Sequence, residues 1–315
     1  MDRWNFIKTA TILGASSPFT PDMLRSTSSG NPIRTEIYSF SKLFQFLDYH
    51  DLASLFKESG IDGIDLTVRN GGHVLPENVE RDLPRAVKAA QEHGITIPSI
   101  VTDIADVNDP LTERVLKTAA NNGIKYYRLA YYSYDHKQSV PTNLEMFKSR
   151  MEKLSEMNSK YHLHGGYQNH FGQRFGASPW EIWTVLKDLD KKHIGCFYDI
   201  HHGLAESLES WGNALRLISP YITMRYIKDF YFVSTEKNIR LRTCPLGEGM
   251  VDFNAYFRLC NELELNTPIN LHVEYPLFND DEKNMSKKDK YKKALAIMKR
   301  DTDKLKSAMI ENNIV

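Results

Sequence analysis

Residues 162–202 read HLHGGYQNHFGQRFGASPWEIWTVLKDLDKKHIGCFYDIHH, and this stretch decides the fold. It opens with a short strand-like run, His162 to His170, that ends in amide and imidazole groups. Ser178-Pro-Trp-Glu then carries the two signals of a helix start, a capping serine with an acid three residues on and proline at the first helical position. The helical run IWTVLKDL follows. A second β-branched and aromatic run, from Ile194, ends in Asp199, His201 and His202. Strand, crossover helix and strand in about 40 residues make a parallel βαβ unit, which needs a dozen or more residues for its connection.

The same alternation extends in both directions. Strand candidates are EIYSFS from Glu36, IDGIDLT from Ile61, TIPSIVTD from Thr96 and KYYRLAYY from Lys125 before the unit, and YITMRYIKDF from Tyr221 and PINLHVEY from Pro268 after it. With the two already quoted they number eight. Between them, VERDLPRAVKAAQEHG sets Leu83, Ala86, Val87 and Ala90 on one helical face, with Gly94 as the stop. Eight βα units fit a single-domain (β/α)8 TIM barrel of the α/β class, whose usual length is about 250 residues. A doubly wound open sheet is the competing architecture, but the chain has neither GxGxxG nor a P-loop. The barrel is assigned to residues 33–315. Lysine-rich residues 281–309 have interleaved acids and helically spaced apolar positions, and are expected to be the solvated face of the last helix.

Residues 1–32 read differently. Arg3 and Lys8 flank a short apolar stretch, and Arg3-Trp4-Asn5-Phe6-Ile7-Lys8 resembles the twin-arginine export pattern with Trp4 in place of the second arginine. A Ser/Pro/Thr-rich linker follows. A degenerate export signal with a periplasmic location is the expectation, and a flexible extension of a cytoplasmic protein the alternative.

Composition narrows the function classes. Forty basic and forty acidic side chains cancel, so there is no bulk attraction to a polyanion, and nucleic acid is not an expected partner. No apolar run approaches the ~18 residues that span a bilayer, so neither is a membrane. Cys196, Cys244 and Cys260 are odd in number and lack metal spacing, which predicts buried thiols.

In a barrel the carboxyl ends of the strands converge on one mouth, where the chemistry lies. Polar residues collect at those ends: Asp65, Arg69 and His73 after the second strand, Arg128 after the fourth, and Gln168, Asn169 and His170 after the fifth. Asp199, His201 and His202 follow the sixth, Lys228 and Asp229 the seventh, and His272 and Glu274 the eighth. Oxygen and imidazole ligands of this kind suit Mn²⁺, Mg²⁺ or Zn²⁺. A divalent ion would polarise a carbonyl while a nearby base moves a proton on the adjacent carbon.

The stretches IDGIDLTVRNGGH, YQNH, CFYDIHHG, YIKDF, PLGEGMVDF and LHVEY resemble the xylose isomerase-like barrels known as sugar phosphate isomerases/epimerases, whose superfamily also holds type 2 apurinic endonucleases. The resemblance runs from about Glu36 to the final helix. It implies a small-molecule sugar substrate, a divalent metal and sugar or keto-sugar isomerisation or epimerisation. A lyase or hydratase on a keto-sugar and a non-catalytic carbohydrate-binding barrel are the alternatives, and a homo-oligomer is left open. Matched by motif, Asp199 and Glu274 stand at two metal-ligand positions. Gln168 replaces a glutamate and Tyr226 a histidine at the other two, with His202 or His170 as substitutes. The expected metal set is therefore Gln168, Asp199, His202 and Glu274. Glu274 is the leading base, with His170, His202 or Lys228 as the second group, and Arg69, His73, Arg128, Asn169 and Glu248 are expected to bind substrate. Glu248 is included because Gly247 and Gly249 in PLGEG allow a turn that brings it toward the mouth.

Overall fold

The computed structural model describes residues 34–234 and 238–314. The proposed export signal and linker lie outside them. In chain order the elements are β1 (Ile37–Phe40), α1 (Tyr49–Glu58), β2 (Gly63–Val68), α2 (Val79–Glu92), β3 (Thr96–Thr102), α3 (Thr112–Asn121), β4 (Tyr126–Arg128) and α4 (Val140–Tyr161). Then come β5 (His164–Gln168), α5 (Pro179–Leu186), β6 (Ile194–Asp199), α6 (Ile200–Ser207), α7 (Trp211–Ile218) and β7 (Ile222–Ile227). The chain ends with β8 (Asp229–Ser234), β9 (Ile239–Cys244), α8 (Phe253–Glu262), β10 (Ile269–Leu271) and α9 (Lys287–Glu311).

Eight of these strands close a parallel barrel in the order β1-β10-β7-β6-β5-β4-β3-β2. Each of the eight strand candidates supplies one of them. Strands buried on both faces are expected where helices cover a parallel sheet, and β2 and β6 are buried along their whole length. Four inward side chains, Tyr38, Phe197, Met224 and Tyr226, plug the barrel interior. Space for Phe197 comes from Gly166 on the neighbouring strand, where a β-carbon would lie 2.0 Å from the Phe197 ring. The larger core lies between barrel and helices, and α2 buries Leu83, Ala86, Val87 and Ala90 as its spacing requires. α9 likewise buries Ala294, Met298, Thr302, Leu305 and Met309 and leaves its lysines outside. The three cysteines are buried free thiols.

Three local readings change. The run YITMRYIKDF is not one strand: the barrel strand ends at Ile227, and Asp229 begins an antiparallel hairpin with β9. His201 and His202 are not at a strand end but in the first turn of α6, because the Asp199 carboxylate caps that helix by accepting from the His202 backbone N–H. At α5, Ser178 accepts from the Trp180 N–H as a cap should, but Glu181 binds the Gly176 N–H and the Tyr134 hydroxyl instead of closing the box.

Candidate active site

The carboxyl ends of β5, β6, β7 and β10 bring Gln168, Asp199, Lys228 and Glu274 into one network. Lys228 is its centre. Its Nζ lies 3.0 Å from Asp199 Oδ2 and 2.7 Å from Glu274 Oε2, with both Lys228 and Asp199 buried. Lys42, just past β1, holds the other Glu274 oxygen at 2.8 Å. Gln168 joins the sides of the network, donating from Nε2 to Asp199 Oδ2 (2.7 Å) and accepting at Oε1 from the Tyr131 hydroxyl (2.6 Å) and, at 3.4 Å, from Arg128.

Burial alone would raise the Glu274 carboxyl, but the Lys228 charge, with His272 and Lys42, outweighs it and holds the group well below the usual carboxylate range. Burial likewise opposes charge on Lys228, but Asp199 and Glu274 reverse the effect and raise it above an ordinary lysine. Each charge therefore favours the ionised form of the other, which weakens Glu274 as a proton acceptor.

The histidines at this end of the barrel are pushed toward their neutral forms. Burial, followed by the Lys228 charge, lowers His170 and pushes His202 well below 6.5, and His201 falls to about 3. The His170 and His202 rings lie against each other, centroids 3.9 Å apart and tilted by 32°. Neither ring nitrogen of His202 has a hydrogen-bond partner, and its Nε2 lies 3.7 Å from Asp199 Oδ2. His170 is better placed for chemistry. Its Nδ1 lies 2.9 Å from the Phe171 carbonyl oxygen, which can only accept, so Nδ1 carries the proton and Nε2 presents a lone pair. Its ring also meets Tyr131 edge-on, at 4.9 Å.

Two guanidinium groups add positive charge to this end of the barrel. Arg128 is buried, sits 4.7 Å from the Tyr131 ring centroid and has an unpartnered Nε. Arg69 lies over Phe40, and burial together with the Arg128 charge lowers its pKa. Among the described residues neither arginine forms an ion pair with a carboxylate.

Other expected site residues do different work. Asn169 accepts from the Asp199 N–H at 2.7 Å and donates to the Asp199 carbonyl at 3.0 Å, so its amide positions the end of β6. The His73 ring is taken up by Thr67 Oγ1 and the Phe44 carbonyl. Glu248 is exposed and faces Arg300 of α9 at 3.9 Å, away from the Lys228 network. What turns it away is Asp229, whose carboxylate gathers the backbone N–H groups of Phe230, Gly247, Gly249 and Val251. At Gly249 a β-carbon would strike that carboxylate at 2.2 Å. Asp65 is fully buried, bound to Asn270 at 2.6 Å, and its pKa is raised by that burial. Lys42 and Tyr131 were not among the expected residues. Lys42 opens a 3-10 turn just past the end of β1, so the period-two strand pattern that ends at Phe40 does not reach it.

Tyr226 is buried in the plug, its ring tilted against His272 at 4.2 Å and 5.6 Å from Phe197, with its hydroxyl unpartnered. Among the described residues no group of three or more His, Cys, Asp or Glu side chains is arranged to hold a metal ion.

The family description "xylose isomerase-like TIM barrel" matches residues 53–301. The chain belongs to that family. No curated protein matches it by sequence. Among solved structures it is similar to the apo form of 3-keto-D-glucoside 4-epimerase, YcjR, from E. coli, at 14% identity and a TM-score of 0.63, covering 84% of this chain and 99% of that one. It is also similar to AsbF from Bacillus anthracis, described as a probable 3-DHS dehydratase involved in petrobactin synthesis, at 13% identity and a TM-score of 0.64 over 86% and 98% of the two chains. A third is a xylose isomerase-like barrel from Mycobacterium smegmatis in complex with magnesium, at 14% identity and a TM-score of 0.61 over 86% and 98%. At these identities the similarity carries the fold. Among the described residues no helix is long and apolar enough to cross a membrane.

Proposed function

We propose that this chain is an enzyme of the sugar isomerase/epimerase kind that moves a proton on a carbon beside the carbonyl of a keto-sugar. The observation that carries the reading is a neutral His170 with its Nε2 lone pair free, close enough to Lys228 for that charge to lower it. Such an imidazole can accept a carbon-bound proton. The C–H electron pair moves into the new C=C bond, and the carbonyl oxygen takes negative charge as an enolate. Positive groups fixed near that oxygen lower the barrier because they need no reorganisation as charge develops. Lys228 has three N–H donors, of which the Glu274 bond and the Asp199 contact use two, leaving one for that oxygen. Arg128 and Arg69 supply further donors for the enolate or for a carboxylate or phosphate elsewhere on the substrate. For isomerisation the hydroxyl proton on the deprotonated carbon passes to the former carbonyl oxygen while the His170 imidazolium gives its proton to the former carbonyl carbon, so the carbonyl moves by one carbon and His170 returns to its neutral form. His202 and Asp199 support the base, His202 through the ring packed against it and Asp199 through its negative charge.

Elimination is the second reading, favoured by the similarity to the probable dehydratase, because loss of a β-hydroxyl proceeds from the same enolate. The test is incubation with ketoses, 3-keto-glycosides and keto-acids in deuterated water, followed by NMR. Deuterium at one carbon with a shifted carbonyl supports isomerisation, and a new alkene signal supports elimination. Binding by calorimetry without exchange at any carbon would reject both and favour a carbohydrate-binding barrel.

A further inference from the structure

The four side chains at the metal-ligand positions of the resemblance are Gln168, Asp199, Tyr226 and Glu274, and the first question is whether a divalent ion fits among them. Every carboxylate oxygen is already engaged. Asp199 Oδ1 accepts from the His202 N–H and Oδ2 from Gln168 while facing Lys228; Glu274 Oε1 faces Lys42 and Oε2 Lys228. The Gln168 amide has one workable orientation. Arg128 only donates and ionised Asp199 only accepts, so Oε1 must face the guanidinium and Nε2 the carboxylate. That turns the amide N–H₂, which cannot ligate, toward the acid that a metal would need. Tyr226 is in the hydrophobic plug. Charge gives the same answer: Asp199 and Glu274 carry two negative charges, which Lys228 and Lys42 cancel. An added divalent ion would sit beside an ammonium only 2.7–3.0 Å from both carboxylates. His202, the remaining member of the expected set, has both ring nitrogens unpartnered, but its Nε2 faces the same Asp199 Oδ2 that Lys228 and Gln168 already hold, so the residues present do not fit the ion.

We propose that the Lys228 ammonium is an internal cation standing in the place of the divalent metal, so that this barrel takes up none. The inference concerns the cation content of the site and stands whether or not the keto-sugar reading holds. It makes Lys228 the group that excludes the ion, with Gln168 adapted to it: an amide donor beside Asp199 satisfies a carboxylate that a metal would otherwise share.

The experiment is equilibrium dialysis of purified, folded protein against Mn²⁺, Mg²⁺ and Zn²⁺ in turn, with bound metal counted by mass spectrometry and thermal unfolding recorded at each concentration. The wild type is expected to hold far less than one ion per chain, with no rise in Tm as metal increases. One tightly bound ion per chain, with a Tm that climbs as ligand linkage demands, would overturn the proposal. The double variant Lys228→Ala/Gln168→Glu removes the ammonium and restores a carboxylate, and is expected to gain Mn²⁺ binding. If it folds, judged by circular dichroism, and still takes no ion, then Lys228 is not what fills the site. If it does not fold, the wild-type measurement decides alone.

Discussion

Replacing Lys228 by methionine keeps most of the side-chain volume and removes only the charge. Glu274 retains Lys42, but Asp199, with no exposed side-chain surface, is left with the Gln168 amide and one backbone N–H. Breaking a buried ion pair from one side costs about 3–5 kcal/mol, because the remaining charge is stranded away from water. With a Tm shift of about 2 °C per kcal/mol for a domain somewhat larger than 250 residues, the expected loss is roughly 6–10 °C. Urea unfolding followed by circular dichroism gives the free energy, and calorimetry gives the Tm. The double variant Lys228→Met/Asp199→Asn removes the stranded charge and should recover most of the loss. A single-variant cost below about 1 kcal/mol, or a double variant showing the full sum of the two single costs, would refute the assignment of Lys228 as the charge that holds Asp199 in the barrel.

Gly166→Ala drives a β-carbon to 2.0 Å from the Phe197 ring inside the plug, and should destabilise by about 1–3 kcal/mol in urea unfolding. Asp229→Asn puts an amide N–H₂ among four backbone donors; a loss of about 2–4 kcal/mol and faster proteolysis near Gly247–Gly249 are expected. His73 and His164 are each lowered to about 4, first by burial. The unfolded chain therefore binds more protons between about pH 4 and 6.5. Stability is complete above pH 6.5 and falls as acid is added, by up to ~1.4 kcal/mol per pH unit for each group. Unfolding at stepped pH checks this, and a flat profile across that window would contradict it.

The barrel was legible because its signals are local. Two-residue alternation with β-branched cores marks strands, 3.6-residue spacing marks helices, and both periods survive packing. The hairpin was missed because YIKDFYFVS continues the apolar texture of β7, and only the closed barrel shows that the strand stops before Lys228. The identities at the mouth were legible too, since any inward side chain near a strand end must reach it. Roles were less so, because they depend on partners far along the chain. Glu248 is turned out by Asp229, Asn169 is spent on the backbone of β6, and Glu274 is pinned by Lys42, more than two hundred residues earlier. The Gln168 substitution was visible as a loss of a carboxylate. Its meaning appears only beside the ammonium that the amide accommodates.

The central claim is a proton-transfer site built on His170 and powered by an internal ammonium. It is tested most directly by the rate of solvent deuterium exchange into a keto-sugar substrate, measured by NMR on chelator-treated protein. Full exchange is expected without added metal, with a loss of about 10²-fold or more in His170→Gln, as general-base removal typically gives, and a comparable loss in Lys228→Met. Exchange that requires added Mn²⁺ or Mg²⁺, or that survives in His170→Gln, would contradict it.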